Sequence, residues 1–284
     1  MKRIALINDL SGFGRCSLTA AIPVISTLGV QAIPLPTAVL SAQTGFGDYA
    51  CKDLTTELTS FAEKWEAMGA HFDGIYSGYL ANVSQLSCVR NFLERFHSSD
   101  TLYLADPVMG DLGQRFPMFQ DDFLAGMREL TRQADVITPN LTESCLLADE
   151  SYESLYAASA SKEELLDKVG KLAHTLQKQA LRPQTVVITG ILWEGKDTTT
   201  IGNLALADSS PAYVESTYTG TSYSGTGDLF ASVLCGCLLR GLSVADAMKK
   251  AASFLEAAIS DAQAQQIPRN EGVPFESHLE MLRL

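Results

Sequence analysis

The sequence predicts an α/β protein: a doubly wound, mostly parallel sheet flanked by helices on both faces, folded as a single domain over residues 1–284. Three observations carry this. Short apolar runs, such as Ile4-Ala5-Leu6-Ile7 and Val186-Val187-Ile188, read as strands buried on both faces. They alternate with stretches of helical length and periodicity, a pattern that implies crossover connections and parallel pairing. No internal repeat or low-complexity linker divides the chain.

The elements follow in order. Lys2 to Asn8 reads as the first strand, followed by a glycine-containing turn at Leu10-Ser11-Gly12-Phe13-Gly14. Cys16 to Leu28 is an apolar helix stopped at Gly29. A second strand lies within Val30 to Leu40, interrupted by Pro34 and Pro36. Leu54 to Met68 is helical, Asp73 to Ser77 a strand, Ser84 to Phe96 a helix and Thr101 to Ala105 a strand. Phe123 to Arg132 is a helix, Val136 and Ile137 form a strand core, and Glu143 begins a short helix. Asp149 to Ser161 is polar and reads as a surface excursion. Ser161-Lys162-Glu163-Glu164 is a capping box that opens a helix ending near Gln179. Thr185 to Thr189 is a buried strand, and Thr200 to Ala207 with Ala212 to Ser216 an antiparallel pair. Two apolar helices, Asp228 to Arg240 and Val244 to Ala264, complete the set.

Composition excludes several classes of function. Hydrophobic residues make up 46% of 284, enough for a sizeable core. A net charge of −12 offers no basic face for nucleic acid, although backbone N–H groups can still hold a small anion. The apolar run after Met1-Lys2-Arg3 breaks at Asn8 and Asp9, too soon for a signal-peptide core. No run approaches the ~20 residues of a membrane span. The six cysteines match neither a zinc site nor a disulfide framework, so free thiols in a reducing cytoplasm are expected.

Motif tests narrow the field further. Gly12-Phe13-Gly14-Arg15-Cys16-Ser17 follows a strand and opens a helix, but Ser17 stands where a dinucleotide fingerprint needs its third glycine. Gly170-Lys171 is followed by Leu172 within a helix, so no P-loop is present. The four histidines are isolated, and no serine-nucleophile elbow occurs.

One constellation survives. Ser224-Gly225-Thr226-Gly227-Asp228 precedes an apolar helix; its glycines let the backbone approach a ligand, and free N–H groups at a helix start suit a phosphate. Alone, it could equally be a turn with Asp228 as N-cap. Leu104-Ala105-Asp106-Pro107-Val108-Met109-Gly110-Asp111 adds two carboxylates beyond a strand, and Ile137-Thr138-Pro139-Asn140-Leu141-Thr142-Glu143 an amide and a carboxylate beyond another. Asn140 would also serve as an N-cap. Hard oxygen donors at strand ends suit Mg²⁺ held with water and phosphate, and ligands in doubly wound sheets bind at those ends. Together the segments describe phosphoryl transfer, which needs a base, an anion site and a metal.

In this order, the Gly-Thr-Gly-Asp turn, the Asp-Pro-Val-Met-Gly-Asp segment and the Thr-Pro-Asn-x-x-Glu segment resemble the pyridoxal kinase branch of the ribokinase-like superfamily. Ser41-Ala42-Gln43-Thr44-Gly45-Phe46-Gly47 and Ser77-Gly78-Tyr79-Leu80 stand where that branch builds its pyridine pocket. The resemblance runs from residue 4 to about residue 260 and implies an enzyme that phosphorylates the hydroxymethyl group of a B6 vitamer with Mg²⁺ and ATP. It implies that Asp228 is the base and that the backbone of Gly225, Thr226 and Gly227 forms the anion hole. It assigns the nucleotide to Asp106, Asp111, Asn140, Glu143 and Thr189, with Asp106, Asn140 and Glu143 organising the metal. It assigns the acceptor to Asp9, Ser11, Gln43, Thr44 and Tyr79. It also implies a flexible flap over Asp111 to Phe119 and a homodimer.

Three positions depart from relatives: Asp9 stands where many carry a serine, Gln43 where some carry a histidine, and Phe116 where a flap tyrosine is common. All three concern substrate choice more than the reaction. A hydroxymethylpyrimidine kinase is the nearest alternative; many such enzymes carry cysteine where Asp228 stands, whereas Gln43 could pair with an aminopyrimidine edge. A sugar or nucleoside kinase lacks support because the first strand has no Gly-Gly signature. A non-catalytic binding member of the fold would be expected to have lost Asp228, Asn140 or Glu143.

Overall fold

Four consecutive residues, Ile4 to Ile7, are fully buried, which requires cover on both faces of the strand they form. That strand is β1 (Arg3–Phe13). In this computed structural model, which describes residues 1–157, 159–207 and 210–284, it is followed by α1 (Ser17–Thr27), β2 (Gln31–Ala42), β3 (Cys51–Asp53), α2 (Thr55–Ala67), β4 (Gly74–Ser77) and α3 (Val83–Phe96). Next come β5 (Leu102–Ala105), β6 (Gly110–Asp111), β7 (Gln114–Arg115), α4 (Asp121–Thr131), β8 (Val136–Ile137), α5 (Leu141–Ala148) and α6 (Tyr152–Ala157). The chain continues through α7 (Lys162–Gln179), β9 (Thr185–Glu194), β10 (Thr199–Ala207), β11 (Ser210–Thr217), α8 (Thr226–Leu239) and α9 (Val244–Ala264). Two compact units result, Met1–Tyr103 with Thr221–Leu284, and Leu104–Gly220.

In the first unit β1 lies between β2 and β4, parallel to both, and β3 adds an antiparallel edge to β2. Helix α8 packs against both α1 and α9, and α2 pairs with α3. The α2–α3 layer is an aromatic cluster in which Trp65, Phe72, Phe92 and Phe96 meet with centroids 4.6 to 6.1 Å apart. In the second unit β8 lies between β5 and β9, parallel to both, and β10 and β11 extend the run antiparallel. Leu165, Val169, Leu172 and Leu176 of α7 supply buried side chains at helical spacing.

The predicted helices and strands are all present, including the antiparallel pair; three local readings change. β1 does not turn at Leu10 but runs to Phe13, because the polar residues that seemed to end it are paired inside the fold. β2 is continuous through Pro34 and Pro36. These prolines pair with β1 at Leu6 and Asn8, before β3 joins the other edge of β2 at Ala38, so on that edge their missing N–H groups cost no ladder bond. β9 continues past Thr189 through a bulge, because Ile188 to Ile191 spans three steps against two on β10. The predicted excursion at 149–161 contains α6, and its Ala158 lies outside the described residues. Among the described residues no helix is long and apolar enough to cross a membrane.

Candidate active site

Two groups of polar side chains, one in each unit, occupy the loops and strand ends that the sequence singled out. In the first unit β4 stops pairing with β1 at Ile7 and Ser77, and the next residues of β1 turn to hydrogen bonds with side chains. Asn8 donates from Nδ2 to Asp228 Oδ1 at 3.1 Å, and its Oδ1 accepts the N–H groups of Asp9 at 3.0 Å and Tyr79 at 2.8 Å. The Ser17 backbone N–H also bonds the Asp228 carboxylate. Burial is the main influence on Asp228 and pushes its pKa up to about 6; the negative charge of Asp9 adds to the rise, and the Ser17 and Asn8 donors oppose it.

Asp9 is 4% exposed. It accepts from Ser11 Oγ at 2.7 Å and from the Ser17 side chain, yet burial still holds its pKa above the usual carboxylate range. Cys16 lies beside both carboxylates; burial, then Asp228 and Asp9, push its thiol up to about 12, so it stays neutral. Tyr79 is half-buried, with its phenol pushed up to about 12 by burial and then by Asp9.

The glycine turn has the geometry of an anion site. Gly225 caps α8 with φ 82°, and a Cβ there would collide with the Arg15 carbonyl oxygen. No side chain among the described residues caps the first turn of α8, and a Cβ on Gly227 would meet no described atom within 4 Å. The first-turn N–H groups thus carry no side-chain cap, with the helix dipole behind them.

The other first-unit candidates divide. Thr44 is exposed on a 3-10 turn, Thr44–Phe46, next to an edge-on pair of Phe13 and Phe46, centroids 5.4 Å apart. Gln43 is spent within the protein. Its Oε1 accepts from the Gly45 N–H, and its Nε2 donates to the Asn270 carbonyl and Ser224 Oγ. The amide hydrogens that were to read an aminopyrimidine edge are thus committed to holding the loop. Asn270 completes this clasp by donating from Nδ2 to the Gly45 carbonyl at 2.6 Å.

In the second unit, Asp106 follows β5 and Glu143 lies in the first turn of α5, both buried. Glu143 accepts from the Met109 N–H at 3.0 Å and the Asn140 N–H at 2.8 Å. Burial, and then the charge of Asp106, hold its pKa well above the usual carboxylate range. Asn140 is the N-cap of α5 in a capping box with Glu143, and its Nδ2 donates to the Gly110 carbonyl at 2.8 Å. Its amide is engaged at both ends, so its visible work is capping and holding Gly110. Among the described residues no group of three or more His, Cys, Asp or Glu could enclose a metal. Asp106 and Glu143 nevertheless fit a hard divalent cation bound mainly through water and phosphate, since the charge of Asp106 disfavours that of Glu143 until a cation neutralises it.

Asp111 is exposed on a two-strand hairpin of β6 and β7, whose turn, Leu112 at φ 50° and Gly113 at φ 78°, has the left-handed pair of a type I′ turn. The expected flap is this hairpin with an anchored base: the Phe116 N–H bonds the Met109 carbonyl, and Phe119 is a core residue stacked on Phe123 at 4.0 Å. Thr189 is half-buried in the β9 bulge, bridged to Asn140 and followed by Gly190 at φ 71°.

Asn8, Ser17 and Asn270 were not among the expected site residues. Asn8 had a signal, a polar residue directly after four buried apolar ones; Ser17, at φ 50°, and Asn270 had none.

Residues 14–273 match the family model described as phosphomethylpyrimidine kinase. The pyridoxal kinase PdxY of Rubrobacter xylanophilus is 26% identical over 265 residues, 90% of this chain and 86% of that protein. A Bacteroides thetaiotaomicron protein named as a phosphomethylpyrimidine kinase, crystallised with pyridoxal, is 36% identical, with a TM-score of 0.90 over 99% of this chain and 95% of its own. Pyridoxal kinase from Lactobacillus plantarum is 31% identical, with a TM-score of 0.87 over 99% of this chain and 96% of its own.

Proposed function

The chain belongs to the phosphomethylpyrimidine kinase family, in the pyridoxal kinase branch of the ribokinase-like superfamily, and on that premise we propose that it transfers the γ-phosphoryl group of ATP to the hydroxymethyl group of a B6 vitamer. Pyridoxal, pyridoxine and pyridoxamine are the candidate acceptors, and the product is the 5′-phosphate. One observation carries the mechanism: Asp228, with its pKa pushed up to about 6, stands in the first turn of a helix whose N–H groups carry no side-chain cap among the described residues.

A base with this pKa is ionised at neutral pH yet basic enough to receive a proton. Asp228 takes the hydroxymethyl proton as the oxygen attacks the γ-phosphorus, the bond to the β-phosphate oxygen breaks and ADP leaves. The N–H groups of Gly225, Thr226 and Gly227 stabilise charge on the transferring group. Asp9, Ser11, Thr44 and Tyr79 surround the acceptor, and Gln43 holds the loop that carries Thr44. Asp106 and Glu143 would hold Mg²⁺, and Asn140 sets the helix start from which Glu143 projects; Asp111 and Thr189 would line the nucleotide. Bound Mg²⁺ neutralises phosphate charge.

We further propose one cytoplasmic kinase domain that pairs as a homodimer; the family match, which spans both units, supports the single domain. A second reading, hydroxymethylpyrimidine kinase, is favoured by the description of the family model. The pyridoxal-bound Bacteroides relative favours the B6 reading. A panel of the three vitamers and hydroxymethylpyrimidine, each scored by kcat/KM with Mg-ATP, decides between them. The highest value for a vitamer supports the proposal, and the highest for the pyrimidine replaces it with the second reading. No ATP consumption with any acceptor would leave a non-catalytic member of the fold.

A further inference from the structure

Asn8 is 1% exposed, and both polar atoms of its side chain are hydrogen-bonded. Its carbonyl oxygen accepts two backbone N–H groups, from Asp9 of β1 and from Tyr79 beyond β4. Two donors on one end fix which end is oxygen, so the amide nitrogen must face Asp228, where it donates at 3.1 Å. The position is tightly enclosed, because a Cβ on Gly78 would overlap the Asn8 amide. Asn8 therefore joins the middle of β1, the segment just after β4 and the first turn of α8 through one planar group that cannot rotate without breaking three hydrogen bonds.

We infer that Asn8 is the positioning residue of the base: its amide N–H holds the Asp228 carboxylate in one orientation and favours its ionised form. The inference rests on the reading of Asp228 as base and deepens it. Asn8 touches neither acceptor nor nucleotide in this account and acts only through Asp228. The titratable groups beside Asp228 are Asp9 on β1 and Cys16 ahead of α1. The first raises its proton affinity and the second stays neutral, which leaves the Ser17 N–H and Asn8 as the donors that counter burial.

Asn8→Asp is a near-isosteric test. It keeps the oxygen that accepts the two N–H groups but turns the donor facing Asp228 into an acceptor. With whichever acceptor the wild type uses best, the variant should lose at least about tenfold in kcat. The midpoint of the acid limb of kcat/KM should rise by about one pH unit, and KM for ATP should stay within about threefold of wild type. In an Asp228→Asn background the same substitution should cost less than about twofold further, because the partner it acts through is gone. Equal losses in both backgrounds, or a kcat within threefold of wild type with an unmoved acid limb, would overturn the inference. Should Asn8→Asp not fold, Asn8→Ser is read the same way, with the same direction expected and the same outcomes against it. Wild-type protein without turnover on any acceptor would sink the kinase reading and this inference together; turnover with unaffected Asn8 variants sinks this inference alone.

Discussion

A Cβ added at Gly225 would lie inside the van der Waals envelope of the Arg15 carbonyl oxygen, so the glycine turn and the loop ahead of α1 meet backbone to backbone. Gly225 also holds φ 82°, a conformation that other residues adopt at a cost. Gly225→Ala should therefore lower stability by about 2 kcal/mol or more and abolish turnover with it. Gly227 is a control two residues on. It is helical, and open space lies where its Cβ would go, so Gly227→Ala should raise the melting temperature slightly, by up to about 1 kcal/mol of helix propensity. If Gly227→Ala loses kcat while gaining stability, the open space is where the transferring group passes. Full activity would remove Gly227 from the anion hole.

Asp228 carries a prediction for activity and another for stability, with opposite signs. As a base it works ionised, so kcat/KM should fall as pH drops through about 6. Asp228→Asn should cost at least ~10²–10⁴-fold in kcat and leave ATP binding nearly intact. For stability, a folded-state pKa above the ordinary 3.8 means that the ionised group is disfavoured in the native protein at neutral pH. The native state takes up the proton first as pH falls, and the penalty disappears below about pH 4. Asp228→Asn should therefore stabilise the protein at pH 7.5 by about 1–3 kcal/mol, a gain that vanishes near pH 4. Melting curves at both pH values check this; a variant less stable than wild type at pH 7.5 would contradict it.

How far the sequence foretold this arrangement depends on the scale of each feature. The apolar runs and helical periods were legible because burial acts on every residue of an element, as in Ile4 to Ile7 and α9. The polar strand ends and the glycine turn were legible because Asp106, Asn140, Glu143 and Asp228 sit in ordered local motifs. Contacts that depend on distant chain were not. Asn8 and Asp228 are 220 residues apart, and Gln43 and Asn270 are 227. Polar residues such as Asn8, Asp9 and Ser11 read as a turn until their partners are known, because the same groups that break a lone strand can be satisfied inside a fold. Gly190 was the available signal for the β9 bulge, since a lone glycine in a strand often marks one.

Glu143 has one role the hydrogen bonds show and a second, at the metal, that is proposed. Both its oxygens accept backbone N–H groups, and its proton affinity is raised by burial and by Asp106. Glu143→Gln turns one acceptor into a donor aimed at an N–H group, which should cost about 1–3 kcal/mol. If the carboxylate also serves the metal, the half-saturating Mg²⁺ concentration at fixed ATP should rise. The extra thermal stability that Mg-ATP gives the wild type should shrink in the variant. Lost stability with an unchanged Mg²⁺ titration would assign Glu143 to the helix start alone.

Asp9 faces inward, but not toward the backbone of the loop at Gly12 to Gly14; the Ser11 and Ser17 hydroxyls hold it, and Asp228 lies near enough for the two charges to interact. Two carboxylates sharing a site favour a ligand that brings a proton or a positive charge. When ionised, Asp9 can only accept hydrogen bonds, whereas serine can both accept and donate. The acceptor it favours is therefore one offering a protonated ring nitrogen or an aminomethyl group. A charge-assisted hydrogen bond is worth ~1.5–3 kcal/mol, or about 10–150-fold in discrimination. Asp9→Ser should shift the ratio of kcat/KM from pyridoxamine toward pyridoxal within that range, with kcat for the better substrate little changed. The same substitution removes a negative charge that raises the pKa of Asp228, so the acid limb of the pH profile should move below 6. The two readouts separate the explanations. A moved acid limb with a vitamer ratio changed by less than about threefold leaves Asp9 as an electrostatic neighbour of the base that does not contact the acceptor. If neither moves, Asp9 serves only to hold the Ser11 and Ser17 hydroxyls, and substrate choice must be sought at Thr44 and Tyr79.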